Sequence, residues 1–144
     1  MIPVAVACAA ENAERNGFSS QFEARLSDLF AAVEGQFDVL VFDPPFRWFR
    51  ARSMAERGMA DENYAALTQF FAEVGDHLAA GGRVLLAFGT TGDIDYLQYL
   101  IAHSGLTCQE LRRVDGEKEG FPVAYFAYRL TREVRSQRRR RGSA

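Results

Sequence analysis

Residues Phe37-Asp38-Val39-Leu40-Val41-Phe42 form an almost unbroken apolar run, bounded by Gly35 before it and by Pro44-Pro45 after it. Six residues suit a strand and not a helix. Two consecutive prolines stop it, because neither can donate to a ladder. A run that is apolar at both odd and even positions predicts burial on both faces, the mark of a parallel strand between helical layers. That one segment directs the chain toward the α/β class.

The flanking sequence agrees. Pro3 to Asn16 reads as a helix, with Pro3 in the first turn, many alanines, and Asn16-Gly17 as a left-handed stop. Gln21 to Leu26 alternates polar and apolar and predicts a short strand; Ser27-Asp28 then starts a brief helical turn through Val33. Arg47 to Ala60 is an irregular or helical excursion. Asp61 is placed to cap a helix to about Ala79, whose stripe is Tyr64, Leu67, Phe70, Phe71, Val74 and Leu78. Gly81-Gly82 ends it, Arg83 to Phe88 is a second buried strand, and Asp93 caps a helix to about Ser104. Leu106 to Val114 and Pro122 to Leu130 are strands joined by a polar loop, Asp115 to Gly120. With no helix between them they should be antiparallel. The expected fold is a three-layer α/β sandwich, mostly parallel, with a C-terminal antiparallel hairpin. Residues 1–130 would form the domain and 131–144 a basic disordered tail.

Composition narrows the function classes. A chain of 144 residues with 48% apolar content can bury a core, and no stretch is long and apolar enough for a membrane span or a secretory signal. A cytoplasmic protein with no membrane contact is expected. Cys8 and Cys108 belong to no metal spacing and read as buried packing residues; His77 and His103 stand at helix ends without partners, so no metal is expected. The net charge of −2 is uneven. Arg129 to Ala144 holds seven arginines and one acid. Such a run either solubilises the terminus or holds phosphates.

The chemistry sits after the apolar strand. Ligands of open α/β sheets bind beyond the carboxyl ends of the strands, where Asp43-Pro44-Pro45-Phe46 falls. Pro44 and Pro45 remove two donors and leave rigid carbonyl acceptors, Asp43 adds a carboxylate, and Phe46 offers a flat face. Together they describe a clamp for a planar group bearing NH2. Fixing such a nitrogen before an electrophile contributes on the order of 7 kcal/mol at best. The plainer alternative is a proline-rich turn with a capping aspartate. Beside the tetrapeptide, Arg47, Trp48, Arg50 and Arg52 interleave cations with aromatics, a pattern for stacking on a base with phosphate contacts, or for folding rings onto the core. Gly89-Thr90-Thr91-Gly92 lacks a phosphate-loop lysine and reads as a substrate-side turn.

In these residues the chain resembles the class I S-adenosylmethionine-dependent methyltransferases of the small methyltransferase domain group, which includes release-factor glutamine and rRNA guanine-N2 methyltransferases. They carry [Asp/Asn]-Pro-Pro-[Tyr/Phe/Trp] after their fourth strand. Ala9 to Gly17 is similar to the helix after the family's second strand, Ser27-Asp28-Leu29-Phe30 to the segment that meets the cofactor adenine, and Leu78 to Leu85 to the turn into the fifth strand. The resemblance implies a Rossmann-like fold and S-adenosylmethionine as cofactor, with Asp28 and Leu29 on its adenine side. It implies N-methylation of a planar NH2, held by Asp43, Pro44, Pro45 and Phe46, in rRNA, tRNA or a protein glutamine bound through Arg47, Trp48 and Arg50. The aspartate in place of asparagine leans toward a nucleobase.

The family's glycine-rich loop and its ribose-binding acid have no counterpart here, and no Gly-x-Gly occurs. The expectation is therefore a fold lacking its first two strands, N-terminally truncated, with weak cofactor binding by this chain alone. An edge would be left open unless Gln21 to Leu26 or a partner chain covers it. A non-catalytic module binding RNA or a partner subunit is the alternative.

Overall fold

A computed structural model of the chain describes residues 3–53, 56 and 58–132. It divides into two compact units, residues 1–35 and 36–144. The basic run from Arg135 onward, expected to be a tail, lies outside the described residues.

The first unit holds one helix, α1 (Pro3–Arg15), ended by Gly17 at φ +75°. An Arg15–Glu11 ion pair one turn apart lies on its surface. Gln21 to Leu26 does not form the expected strand: its alternation is real, but no described strand lies beside it to pair with. Ser27 to Val33 forms hydrogen-bonded turns and not a helix. The Ser27 hydroxyl donates to the Leu29 carbonyl at 2.9 Å and accepts from the Ala32 amide at 2.8 Å. Such local bonds compete with helix formation.

The second unit runs β1 (Phe37–Phe42), a 3-10 turn (Glu62–Tyr64), α2 (Ala65–His77), β2 (Leu78–Gly89), α3 (Ile94–His103), β3 (Leu106–Lys118) and β4 (Phe121–Arg132). The sheet order is β1-β2-β4-β3, with β1 parallel to β2 and β4 antiparallel to both neighbours. Three strands thus run one way and β4 alone the other, an α/β sheet closed by the expected antiparallel hairpin.

Alternation along the strands decides which face is covered. Val84, Leu86 and Phe88 of β2 and Leu130 of β4 are buried against Leu67, Phe70, Phe71 and Val74 of α2 and Leu97, Leu100 and Ile101 of α3. Each such side chain contributes roughly 1.5–3 kcal/mol. Phe42 stacks on Phe70, ring centroids 4.0 Å apart, tying the end of β1 to α2. The opposite face stays open. Val39 is 39% and Val41 76% exposed, so β1 is not buried on both faces as its composition suggested. Among the described residues β1 pairs with β2 alone, leaving its other edge free.

Two boundaries moved. Helix α2 stops at His77, two residues early, and Leu78 already has strand dihedrals. Gly81-Gly82 therefore lies inside β2, at an irregular step of the β1–β2 register. A Cβ on Gly82 would stand 2.9 Å from the Phe37 carbonyl oxygen, so only glycine lets the strands approach there. The expected polar loop Asp115 to Gly120 is also strand, except for Glu119-Gly120. Both have positive φ, 54° and 82°. That pair makes the two-residue turn whose twist matches a hairpin.

Both cysteines are exposed, not buried as expected: α1 has no buried residue, and β3 buries only Leu106. Among the described residues no three His, Cys, Asp or Glu gather as metal ligands, and no helix is long and apolar enough to cross a membrane.

Candidate functional site

Register places the site. Gly89, the last residue of β2, pairs with Tyr125 of β4. Phe121 to Ala124 therefore extend beyond β2, an overhang of roughly 13 Å at 3.3 Å per residue. This carries the hairpin tip out beside the carboxyl ends of β1 and β2. Thr90 fastens the overhang, donating its amide to the Ala124 carbonyl and accepting the Ala124 amide on its hydroxyl, both at 2.9 Å.

In the angle between hairpin and strand ends lies a cavity of about 200 Å³, lined by Asp43, Pro44, Pro45, Phe46, Arg47, Gly58, Met59, Thr91, Lys118 and Tyr125. All four residues of the tetrapeptide face it. Asp43 is exposed, Pro44 is buried, and Pro45 and Phe46 are half-buried. The Phe46 ring tilts against Phe88 at 5.1 Å. Its carbonyl accepts from the Tyr64 hydroxyl at 3.3 Å, and that hydroxyl accepts the Asp93 amide at 2.8 Å. Burial pushes the Tyr64 phenol above its ordinary value, with the Asp93 amide pulling the other way and the Asp93 and Asp61 carboxylates adding to the rise. Tyr64 itself is left-handed, φ 52°, next to Asn63 at φ 57°. A non-glycine residue there costs about 1–2 kcal/mol, which its two hydrogen bonds help offset.

The loop after Phe46 is closed at its base. Arg47 donates its amide to the Met59 carbonyl at 3.2 Å and accepts the Asp61 amide at 2.8 Å. Asp61, the only charged side chain among the described buried residues, takes the Ala66 and Leu67 amides at 3.0 and 2.9 Å. One residue thus caps α2 and pins Arg47 to the cavity wall. Inside the loop, the Arg52 amide donates to the Glu56 carboxylate at 2.6 Å.

The substrate-side trio separates. Arg47 lines the cavity. Trp48, 66% exposed, lines an adjoining hollow of about 370 Å³ with Arg47, Phe49, Thr91, Lys118, Glu119, Phe121 and Val123. Arg50 leans instead toward Glu62, 3.8 Å away on the surface. Asp28 and Leu29 belong to the first unit, where Leu29 has φ 49° and Asp28 accepts the Ala31 amide on its carbonyl at 3.0 Å.

Several site residues escaped sequence reasoning. Lys118 reads as part of a solvated loop, and Phe121 falls between that loop and the strand expected from Pro122; the two-residue turn Glu119-Gly120 is the signal that both stand at a hairpin tip. Gly89 and Gly92 looked like turn residues. A Cβ on Gly92 would lie 2.6 Å from the Phe46 carbonyl oxygen and 2.9 Å from the Phe88 ring; one on Gly89 would lie 2.9 Å from the Tyr125 ring. Their hydrogens leave the room that Phe46 and Tyr125 fill.

The methyltransferase small domain profile matches residues 3–105. The release factor glutamine methyltransferase of Cereibacter sphaeroides is 34% identical over 101 residues, 60% of this chain and 35% of that protein. A ribosomal protein L11 methylase from Lactobacillus delbrueckii subsp. bulgaricus superposes with a TM-score of 0.55 at 19% identity, covering 88% of this chain and 51% of its own. The N-methyltransferase NodS of Bradyrhizobium japonicum WM9, solved with S-adenosyl-L-homocysteine, gives 0.52 at 12% identity, covering 89% and 62%. The chain spans about a third of the length of the curated relative and about half or more of the solved ones. A profile match over most of its length, on a mixed sheet of this topology, makes the chain a member of the methyltransferase small domain family.

Proposed function

We propose that this chain supplies the acceptor-binding part of an S-adenosylmethionine-dependent N-methyltransferase whose substrate presents a planar NH2, either a nucleobase amine or a glutamine amide. One observation carries the reading: Asp43, Pro44, Pro45 and Phe46 all line an open cavity at the ligand-binding rim of the sheet. Bound S-adenosylmethionine would supply an electrophilic methyl group on sulfonium. The Asp43 carboxylate and the Pro44 carbonyl accept the two amine protons, and the Phe46 ring, packed against Phe88, fixes the plane of the group. Both N–H bonds are then engaged, and the nitrogen lone pair is turned out of that plane toward the methyl carbon it attacks. The proton lost on methylation passes to Asp43, which is exposed and returns it to solvent.

The test is transfer of labelled methyl from millimolar S-adenosylmethionine, a concentration chosen to offset the missing glycine cradle, into bacterial RNA and protein fractions. Label on nitrogen, reduced about a hundredfold or more by Asp43→Ala, supports the proposal; label on carbon or oxygen contradicts it. A second reading is a non-catalytic module that keeps the acceptor face. Acceptor binding without any methyl transfer at saturating cofactor would select it.

A further inference from the structure

The cavity at the tetrapeptide and the hollow beside it share three lining residues: Arg47, Thr91 and Lys118. Two cations and a threonine thus line the saddle between them, with the Glu119 carboxylate on the outer side and the Asp43 carboxylate on the inner. The inner cavity, about 200 Å³, has Pro44 and Pro45 in its lining; the outer, about 370 Å³, is walled by Trp48, Phe49 and Phe121, which are 66%, 40% and 72% exposed. Exposed aromatic faces invite stacking. They come from two separate places, the closed loop after Phe46 and the hairpin tip.

We propose that the outer hollow is a second subsite, which stacks the unpaired base next to the methyl-accepting one in a single-stranded nucleic acid. The inference rests on the N-methyltransferase reading of the inner cavity and deepens it. The location of the cations decides the class of polymer. A chain whose consecutive units occupy the two cavities must pass its linkage over the saddle. Between nucleotides that linkage is a phosphodiester with one negative charge, and Arg47, Lys118 and the Thr91 hydroxyl match it. Between amino acids it is a neutral peptide, which two cations do not favour. The aromatic walls read no hydrogen-bond edge, so the subsite accepts any base and selects for the unpaired strand. Phe121 and Trp48 are the stacking partners, Lys118 and Arg47 the phosphate contacts.

Trp48 is the chain's single tryptophan and lines the outer hollow, so its fluorescence responds to a base stacked there. The full chain is titrated with matched RNA and DNA hexamers, with a hairpin duplex, and with a glutamine-containing peptide. Both single strands should quench Trp48, and the duplex should not. Phe121→Ala should weaken the quenching affinity roughly 5- to 150-fold, and Lys118→Gln should lower the salt slope by about 0.7. Both side chains are at the surface, so Tm should hold. Asp43→Ala should leave the quench by flanking nucleotides in place, which separates failure of this inference from failure of the acceptor clamp. A difference between the RNA and DNA arms would assign the sugar. Oligonucleotide binding by anisotropy without any Trp48 change would assign affinity to the Arg138–Arg141 run and overturn the subsite. So would quenching by the peptide alone.

Discussion

Replacing Asp61 with alanine removes the buried carboxylate that caps α2. Its carboxylate takes two amides, Ala66 and Leu67, at 3.0 and 2.9 Å, at the positive end of α2 and only 6% exposed. Truncating a helix cap costs about 0.5–2 kcal/mol. Here the Leu67 amide is left buried without an acceptor, about 1–3 kcal/mol more, and the charge–dipole term is lost as well. These overlap, so the expected loss is about 2–4 kcal/mol. For a unit near a hundred residues, 1 kcal/mol corresponds to about 5 °C, giving a Tm drop of about 10–20 °C. Asp61→Asn keeps one acceptor oxygen and should fall between alanine and wild type. Urea unfolding followed by circular dichroism measures all three. A loss below about 0.5 kcal/mol for Asp61→Ala would refute the assignment of Asp61 as the cap of α2.

Gly92→Ala should cost about 1–3 kcal/mol by forcing Phe46 and Phe88 apart, whereas Gly75→Ala, inside α2 with open space around it, should gain about 0.5–1 kcal/mol; calorimetry that finds the two alike would contradict the packing around Phe46. Tyr64→Phe should cost about 1 kcal/mol near neutrality by orphaning the Asp93 amide. Because the folded Tyr64 phenol titrates above its unfolded value, its contribution is full below about pH 10 and lost as pH rises through the folded value, so Tyr64→Phe should lose less stability between pH 9 and 11 than wild type does in denaturant titrations. Glu119→Asn should stabilise the hairpin by up to about 1 kcal/mol in thermal unfolding, since asparagine tolerates φ 54° better than glutamate. Calorimetric titration of the chain with S-adenosylmethionine should give an affinity weaker than micromolar, as expected of a sequence with no Gly-x-Gly; a micromolar constant would contradict that expectation.

Much of the scaffold could be read from local patterning. Apolar runs located β1 and the core of β2, and the spacing of Leu67, Phe70, Phe71 and Val74 marked the buried face of α2. Asp93 capped its helix as its position implied, accepting the Tyr96 amide at 2.9 Å. What failed depended on partners distant in sequence. Gln21 to Leu26 has strand alternation, yet alternation forms no strand without a neighbour. Val39 and Val41 look like interior residues, yet whether a strand is covered on one face or two is set by helices elsewhere. Lys118 and Phe121 reach the cavity because β4 outruns β2 by four residues, a matter of register that no local window contains. The place of Asp43 to Phe46 at the end of β1 was legible because the apolar run and the prolines that stop it are adjacent in sequence.

The acceptor clamp is best tested by amide NMR of the labelled chain titrated with nucleosides that carry an exocyclic NH2 and with their deaminated counterparts. The account predicts shifts at Asp43, Phe46 and Arg47 with the amines, little change with the deaminated partners, and loss of the response in Asp43→Ala. Equal shifts from both members of each pair, or responses confined to residues away from the cavity, would contradict it.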